Sequence, residues 1–230
     1  MKRNKQFKYP IGKRVNQLGN RCYEINGQKL PSVTTILKGT ESEEKKKSLE
    51  QWRLKVGERE AERIMFESSK RGTQMHQYLE EFLIGQKRIN FEGFDNDPYQ
   101  MSKKIIEESL SIKLNELWGA EVSLHFPNLY AGTADACGIY NGVESILDFK
   151  QSNKPKKRNW LDDYFLQVAA YSLAHNVVYK TKITQGVILI CTPPPIIQFQ
   201  EFIIKDKELE NFQTIFLQKV EEYKHKQELT

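Results

Sequence analysis

The sequence predicts one α/β domain, and three observations indicate this class. The chain of 230 residues is long enough for one elaborated domain rather than two independent ones. Helix-like and strand-like periodicities alternate along it, as helices, three strands, a helix, two strands and a closing helix. No internal repeat or low-complexity segment divides it. We expect a basic N-terminal arm over 1–23 and a single domain over 24–230, with a helical elaboration at 24–118 and the core at 119–230.

The N-terminal half reads as a short hairpin followed by helices. Asn26-Gly27 predicts a tight turn within a hairpin over 22–30, and Ser32 is placed to cap a short helix over 31–37. Helices are then predicted over 41–66, from 72 to 83 and from 99 to 118. The expected packing positions of the first two are Leu49, Trp52, Val56 and Ile64, then Met75, Leu79, Phe82 and Leu83. Those of the third include Leu114 and Leu117.

The middle of the chain changes to strand periodicity. Residues 121–126 alternate, and the segments 131–140 and 143–150 flank Asn141-Gly142, which predicts an antiparallel three-stranded meander. After the meander the sequence predicts a helix, two strands and a closing helix, over 160–179, 184–192, 197–205 and 207–224 respectively.

Composition argues against several classes of protein. Charged residues make up 28% and hydrophobic residues 39%, so disorder is not the main state. The apolar run from Val187 to Cys191 is too short to cross a membrane, and no apolar signal region follows the start methionine. Three distant cysteines without a CxxC pair argue against a zinc ribbon, a four-thiolate iron–sulfur cluster and a disulfide framework. We expect a cytoplasmic protein with no membrane partner.

The net charge of +5 is concentrated at the N-terminus. Seven basic residues and no acidic one lie between Met1 and Tyr23, so the remaining residues sum to 5 − 7 = −2. The seven are Lys2, Arg3, Lys5, Lys8, Lys13, Arg14 and Arg21. Such an arm either grips phosphates or is a solvated terminus, and charge alone leaves both open.

The Asn141-Gly142 turn also fixes the register of its hairpin. A two-residue turn makes paired residue numbers sum to 283, so Asp135 lies opposite Asp148 with Cβ atoms about 5 Å apart. Lys150, two residues further on, points to the same face. Two carboxylates on one face suit a hard cation such as Mg²⁺ or Mn²⁺, and a nearby lysine can assist a metal-bound water. The alternative is a solvated surface hairpin in which Lys150 pairs with Asp148.

Four short motifs occur in order along the chain. They are Arg71-Gly-Thr-Gln-Met-His76, Gly132-Thr-Ala-Asp135, Ile146-Leu-Asp148-Phe-Lys150 and Gln167-Val-Ala-Ala-Tyr171. They resemble the histidine-bearing helix and the G-x-x-D, D-x-K and Q-x-x-x-Y motifs of the RecB-like branch of the PD-(D/E)XK nuclease superfamily. Residues 30–37 are also similar to a segment of a branch member that degrades single-stranded DNA from its ends. The resemblance implies a restriction-endonuclease-like core, a mixed central sheet flanked by helices, with an N-terminal helical elaboration.

The resemblance implies a role for each matched residue. The implied metal ligands are His76, Asp135, Asp148 and the backbone carbonyl of Phe149, and the implied catalytic residues are Asp135, Asp148, Lys150 and Glu121. Lys150 would serve the attacking water, and Glu121 would help orient the metal site or its water. Judged by residue type and position alone, His76 also fits a packed core position, and Glu121 fits an exposed acid at a strand start.

The implied DNA contacts lie on the helix after the meander and in the loop that joins the meander to this helix. Gln167 and Tyr171 share one helix face, which by resemblance contacts the DNA backbone or orients Lys150. The alternative is a polar stripe with packed tyrosines. The loop contributes Lys154, Lys156, Lys157 and Arg158. With the neighbouring Trp160 they suit a phosphate chain and a stacked base, although such a loop can also be merely solvated.

The resemblance implies a metal-dependent deoxyribonuclease, an exonuclease on single-stranded DNA ends in replication, recombination or repair. The alternatives are a structure-specific or flap endonuclease of the same fold and, from another class, a DNA-binding module without catalysis. No iron–sulfur cluster is expected. Since the sequence contains no P-loop, unwinding would come from a helicase or replication partner. The arm lacks the pattern of a mitochondrial transit peptide, so we expect a bacterial cell or a phage-infected host.

Overall fold

A six-stranded mixed sheet with helices on both faces organises the chain in the computed structural model, which describes residues 1–17, 19–86 and 96–229. In spatial order its strands are β1 (Lys2–Arg3), β5 (Leu114–Phe126), β6 (Tyr130–Tyr140), β7 (Val143–Gln151), β8 (Gln185–Cys191) and β9 (Phe199–Lys205). Neighbouring strands are antiparallel except in the β1–β5 and β7–β8 pairs, which are parallel. The predicted α/β class with a mixed central sheet is confirmed.

A second, three-stranded antiparallel sheet lies in the N-terminal region. Its strands are β2 (Lys13–Gln17), β3 (Asn20–Ile25) and β4 (Gln28–Pro31). Asn26 and Gly27 form the turn between β3 and β4 with φ angles of 50° and 76°, so the predicted hairpin is confirmed. Much of the predicted basic arm therefore lies in strands. Four of the five residues of β2 are exposed, so no apolar alternation marks this strand in the sequence.

The helices of the described residues flank the large sheet. They are α1 (Val33–Gly39), α2 (Glu43–Val56), α3 (Glu58–Ile84), α4 (Asp97–Ile105), α5 (Ser111–Lys113), α6 (Asp162–Tyr179) and α7 (Lys207–Glu228). A π-helical turn (Ile106–Leu110) joins α4 to α5, and a 3-10 turn (Arg158–Trp160) precedes α6. The Ser32 hydroxyl accepts the backbone N–H of Thr35 at 3.0 Å, so the predicted cap of α1 is confirmed.

The boundaries of α2 and α3 differ from the prediction. Gly57, with φ 87°, ends α2 inside the first predicted segment, and α3 then runs without a break from there to the end of the second. Helix α2 buries none of its residues completely. Of its predicted packing positions, Leu49 is wrong because it is 46% exposed, whereas Trp52 and Val56 are half-buried. The stripe predicted on α3 is largely correct, because Met75, Leu79 and Leu83 are fully buried.

The helix predicted from 99 to 118 ends five residues early. Leu114 starts β5, which pairs with β6 through two register irregularities between Leu114 and Gly119. Leu114 and Leu117 are buried, as predicted, but on a strand. Their spacing of three residues matches a helix turn, and the irregular strand produces the same spacing.

Two cores pack against opposite faces of the large sheet. One lies under α1, α6 and α7 and includes Ile146 of β7 and Phe165 of α6. The other lies under α3 and α4 and includes Met75 of α3 and Leu147 of β7. Strand β7 is therefore covered on both faces, and the residues that follow Leu147 can reach either α3 or α6. The end of β7 is the place where both helical layers meet.

Candidate active site

Strands β6 and β7 form the hairpin that Asn141-Gly142 predicts. Paired residue numbers sum to 283 from Tyr140–Val143 to Ala136–Leu147, so the predicted register is confirmed over this ladder. The ladder stops one pair short of the two aspartates. Instead of continuing it, the carboxylate of Asp135 accepts the backbone N–H of Phe149 at 2.6 Å. This side chain therefore holds the strands together where the backbone ladder ends.

The alternation of faces along β6 breaks at Asp135. Ala134 belongs to the core against α6 and Ala136 to the core against α3, although residues two apart point the same way in a regular strand. On β5, Glu121 lies between the residues paired with these alanines and has a φ of 49°. The regular register that places Asp135 directly opposite Asp148 therefore ends before this pair, because the local irregularity re-aims Asp135.

His76, Glu121 and Asp135 form a cluster at this irregularity. One nitrogen or oxygen atom from each lies within 4.8 Å of the other two. His76 Nδ1, from α3, is 3.5 Å from Asp135 Oδ1 and 4.0 Å from Glu121 Oε1. His76 Nε2 lies 2.8 Å from the carbonyl oxygen of Phe149, which can only accept, so this nitrogen donates. That hydrogen bond orients the ring with Nδ1 towards the carboxylates.

The donor set of this cluster fits a divalent cation. One imidazole nitrogen and two carboxylates converge from three different elements, and Mn²⁺ and Mg²⁺ accept such mixed and oxygen-rich sets. Two of the predicted ligands, His76 and Asp135, are therefore together, with Glu121 as the third member. The other two predicted ligands are placed differently. Asp148 lies outside the cluster, and the carbonyl of Phe149 accepts the His76 N–H.

Asp148 and Lys150 form a buried ion pair on the α6 side of β7. Asp148 is 1% exposed, and its Oδ2 lies 2.5 Å from Lys150 Nζ. Among the described residues no hydrogen bond of good geometry reaches that oxygen. Lys150 Nζ also lies 5.2 Å from the centre of the Tyr164 ring, so α6 covers the pair with an aromatic face. Tyr164 is not among the predicted site residues, although it lies three residues before Gln167 on the same helix face.

Electrostatic interactions connect the members of the site. Burial alone would raise the pKa of Asp135, but His76 and Lys150 outweigh it and hold that pKa below its usual range. Burial raises the pKa of Asp148, helped by Asp135 and opposed by Lys150. Burial alone would lower the pKa of His76, but Asp135 and Glu121 raise it to about 10. The charges of these groups therefore depend on one another.

Gln167 and Tyr171 lie on α6 next to the G-x-x-D segment. Gln167 Nε2 donates to the Tyr171 hydroxyl at 3.3 Å. Tyr171 is 3% exposed, and a Cβ added to Gly132 would lie 2.6 Å from its ring. The glycine is required because the ring occupies this space. The burial of Tyr171 beneath β6 favours a supporting role over a direct DNA contact.

The basic loop after β7 presents its lysines to solvent. Lys154 and Lys157 are exposed and Lys156 is half-buried. Lys157 Nζ lies 5.4 Å from the ring centre of Trp160, which is 58% exposed. A cation beside an exposed aromatic ring is an arrangement suited to a phosphate and an unpaired base.

Arg158 differs from the lysines of this loop. Its guanidinium pairs with Glu208 of α7 at 2.6 Å and lies 5.0 Å from the ring centre of Phe165. It also donates to the carbonyl of Ile203 on β9. Arg158 therefore connects α6, α7 and β9, and this engagement explains a basic residue in the loop without any DNA contact.

Two open cavities meet at Glu121. One, of about 490 Å³, lies between α3, the middle of β5 and the end of β7, and its lining includes His76, Glu80 and Lys150. The other, of about 440 Å³, lies between residues 9–14 and strands β5 and β6. Because Glu121 lines both, the cavities lie side by side across the candidate site. Glu80, which is not among the predicted site residues, has a pKa raised by burial and by Glu121.

Comparison with known proteins finds relatives of similar sequence but no matching family model. The chain is 27% identical over 220 residues to mitochondrial genome maintenance exonuclease 1 of Xenopus tropicalis, with 90% of this chain and 61% of that protein covered. It is 29% identical over 208 residues to the Mus musculus protein of the same name, with 86% and 60% covered. The chain thus spans about three fifths of the length of these curated relatives.

Similarity to solved structures is more distant. A putative exonuclease from Eubacterium rectale aligns with a TM-score of 0.45 and 14% identity, covering 67% of this chain and 68% of that one. An alkaline exonuclease from Laribacter hongkongensis aligns with a TM-score of 0.41 and 10% identity, covering 86% and 91%. Within the residues that the structure describes, no helix is long and apolar enough to cross a membrane.

Proposed function

We propose that this chain is a divalent-metal-dependent deoxyribonuclease, an exonuclease that hydrolyses phosphodiester bonds at single-stranded DNA ends. The observation that carries the proposal is the cluster of His76, Glu121 and Asp135 beside the buried pair of Asp148 and Lys150. The name of the sequence relatives supports exonuclease activity. We further assign the chain to the RecB-like branch of the PD-(D/E)XK superfamily, with a restriction-endonuclease-like catalytic core over 119–230.

His76, Glu121 and Asp135 would hold the cation, with Asp148 and the carbonyl of Phe149 as proposed further ligands. When bound, Mg²⁺ or Mn²⁺ supplies positive charge for the phosphate and a lowered pKa for an attacking water. The chain prepares this site in advance. The His76 N–H donated to Phe149 directs Nδ1 towards the carboxylates, and Asp135 is held by the backbone N–H of Phe149.

Lys150 would act on the phosphate. Its ammonium is held by Asp148 on one side and by the Tyr164 ring on the other. An ammonium fixed in a water-poor site stabilises negative charge that develops on a phosphate oxygen, since little reorganisation is needed. Asp148 and Asp135 both raise the pKa of Lys150 against the effect of burial, so the side chain stays protonated for this role.

The substrate chain would run over the basic loop and the cavities. Lys154, Lys156 and Lys157 would bind phosphates, and the exposed Trp160 would stack a base. Gln167, half-buried on α6, is proposed to contact the backbone close to Lys150. A cytoplasmic setting in a bacterial cell or a phage-infected host, a helicase or replication partner, and a role in replication, recombination or repair belong to the same proposal.

End-labelled linear and internally labelled circular single-stranded DNA test the function directly. Each is incubated with the full chain in Mg²⁺, in Mn²⁺ and in a chelator. We expect the linear strand to be degraded in either metal, the circular strand to stay intact, and the chelator to stop the reaction. Cleavage of the circle would support the endonuclease alternative. Intact DNA in every arm, with binding preserved, would support the non-catalytic module.

A further inference from the structure

The basic N-terminal segment is fixed against the large sheet, next to the candidate site. Phe7 packs against Trp118 and His175, with ring centres 5.2 and 5.0 Å apart. The Tyr9 hydroxyl lies 3.0 Å from His175 Nε2. These contacts fix Tyr9, which lines the cavity of about 440 Å³, and the residues just before it. The wall of this cavity is therefore set by packing rather than by a loose terminus.

Gly12 brings this segment into contact with β5. Its backbone N–H donates to the Ser123 hydroxyl at 3.2 Å. A Cβ at this position would lie 2.7 Å from the same oxygen, so a larger residue would push the segment away. Ser123 also lines the cavity, two residues after Glu121. The segment and β5 thus enclose a space that reaches the His76–Glu121–Asp135 cluster at Glu121.

The residues that line this cavity combine one cation with exposed apolar surface. Arg14, on β2, lies 5.9 Å from the ring centre of Tyr23, and its Nη2 is 3.5 Å from the Tyr23 hydroxyl. In the part of the chain that the structure describes, the guanidinium thus rests on an aromatic ring instead of a carboxylate. Ile11 is 95% exposed at the same wall. An arginine suits a phosphate, and an apolar side chain suits the face of a base.

We propose that this cavity is a subsite for the unpaired nucleotide adjacent to the cleaved phosphate. Arg14 would pair with the phosphate of that nucleotide, and Ile11 would lie against its base. This inference rests on the proposed function, because Glu121 links the cavity to the reacting site. A base within a duplex is stacked on both faces, so this contact selects a single strand. The volume suits one nucleotide, since ligand pockets begin at about 300 Å³.

Three single variants test the subsite. Arg14→Gln removes the cation, Ile11→Ser removes the apolar contact, and Lys13→Gln is the matched control. Lys13 precedes Arg14 on β2, is exposed, and does not line the cavity. The Lys13→Gln variant therefore loses the same charge, but from the opposite face of the strand. The full chain is assayed by steady-state cleavage of an end-labelled single strand. A labelled thymidine 12-mer is also titrated without metal and followed by fluorescence anisotropy.

We expect Arg14→Gln to raise KM and the anisotropy Kd about tenfold with kcat nearly unchanged, as for a lost charged hydrogen bond. The slope of log Kd against log salt should fall by about 0.7. Ile11→Ser should raise KM about threefold from lost apolar contact, and Lys13→Gln less than twofold. Both test residues are exposed, so folding should be unaffected. Circular dichroism checks the folding of each variant. If Arg14→Gln does not fold, Arg14→Lys takes its place in both assays.

The outcomes separate the subsite from the proposed function. If the wild type cleaves DNA but Arg14→Gln and Ile11→Ser behave like Lys13→Gln, the subsite is refuted and the function stands. If the wild type is inactive in every metal while Arg14→Gln still weakens binding of the 12-mer, the subsite stands as a DNA contact and the nuclease proposal is refuted.

Discussion

Acidification should destabilise this protein through His175 in a measurable way. The side chain is 0% exposed, packed among Phe7, Trp118 and Tyr179, and its two nitrogens contact the Tyr9 and Thr181 hydroxyls at 3.0 and 2.8 Å. Burial lowers the pKa of His175 from 6.5 to about 4. The neutral form is therefore favoured in the folded state, and the unfolded state binds the proton more readily.

The sign and size of the effect follow from this difference. A depressed folded pKa contributes stability that is complete above 6.5 and is lost as the pH falls through about 4. Each pKa unit corresponds to about 1.4 kcal/mol, so His175 should account for about 3 kcal/mol of the free energy of unfolding. That is a large share of the stability of an ordinary domain, about 5–15 kcal/mol.

Urea unfolding followed by tryptophan fluorescence at pH 7, 6, 5 and 4 measures this contribution. The wild type should lose stability over this range, and His175→Gln should lose about 3 kcal/mol less. His225→Gln, an exposed position on α7, is the matched control and should follow the wild type. Carboxylates titrate in all three proteins, so their contribution to the pH dependence of the free energy of unfolding cancels in the comparison. Equal pH dependence in His175→Gln and the wild type would show that the reasoning is wrong.

Three further predictions concern the site and its supports. Tyr164→Leu should lower kcat about tenfold with KM unchanged, and Tyr164→Phe should restore it, because the ring that faces Lys150 remains. Gly132→Ala should cost about 1–3 kcal/mol in urea unfolding, since its Cβ meets the Tyr171 ring, and adding Tyr171→Leu should recover part of this. Lys157→Gln should weaken binding of the thymidine 12-mer and flatten its salt dependence while thermal stability stays unchanged.

Local turn chemistry explains which parts of the fold were predictable. Asn26-Gly27 and Asn141-Gly142 tolerate the positive φ of a two-residue turn, so both hairpins and their registers follow from the residues themselves. The irregular start of β5 at Leu114 was not predictable, because a strand with register shifts spaces its apolar residues like a helix. Strand β2 also lacks a signal, since its pairing with β3 depends on backbone hydrogen bonds and not on an apolar face.

The part of the candidate site that lies in short motifs was predictable from the sequence. The part that depends on the three-dimensional arrangement of the strands was missed. The motifs identify His76 and Asp135, which the structure brings together with Glu121. The break in alternation at Asp135 is a tertiary property, so a regular register misplaces this side chain relative to Asp148. The charge of the N-terminal segment left open whether it grips phosphates, and only the folded chain shows that the segment lines a cavity together with Glu121.

Metal binding at the cluster tests the central claim most directly. Isothermal titration with Mn²⁺ and cleavage of labelled single-stranded DNA are measured on the wild type, Asp135→Asn and the control Glu144→Gln. Glu144 lies on β7 away from the cluster and accepts the backbone N–H of Lys182. We predict that the wild type and Glu144→Gln bind Mn²⁺ and cleave DNA, and that Asp135→Asn, still folded, does neither. Undiminished Mn²⁺ binding and cleavage by Asp135→Asn would contradict the account.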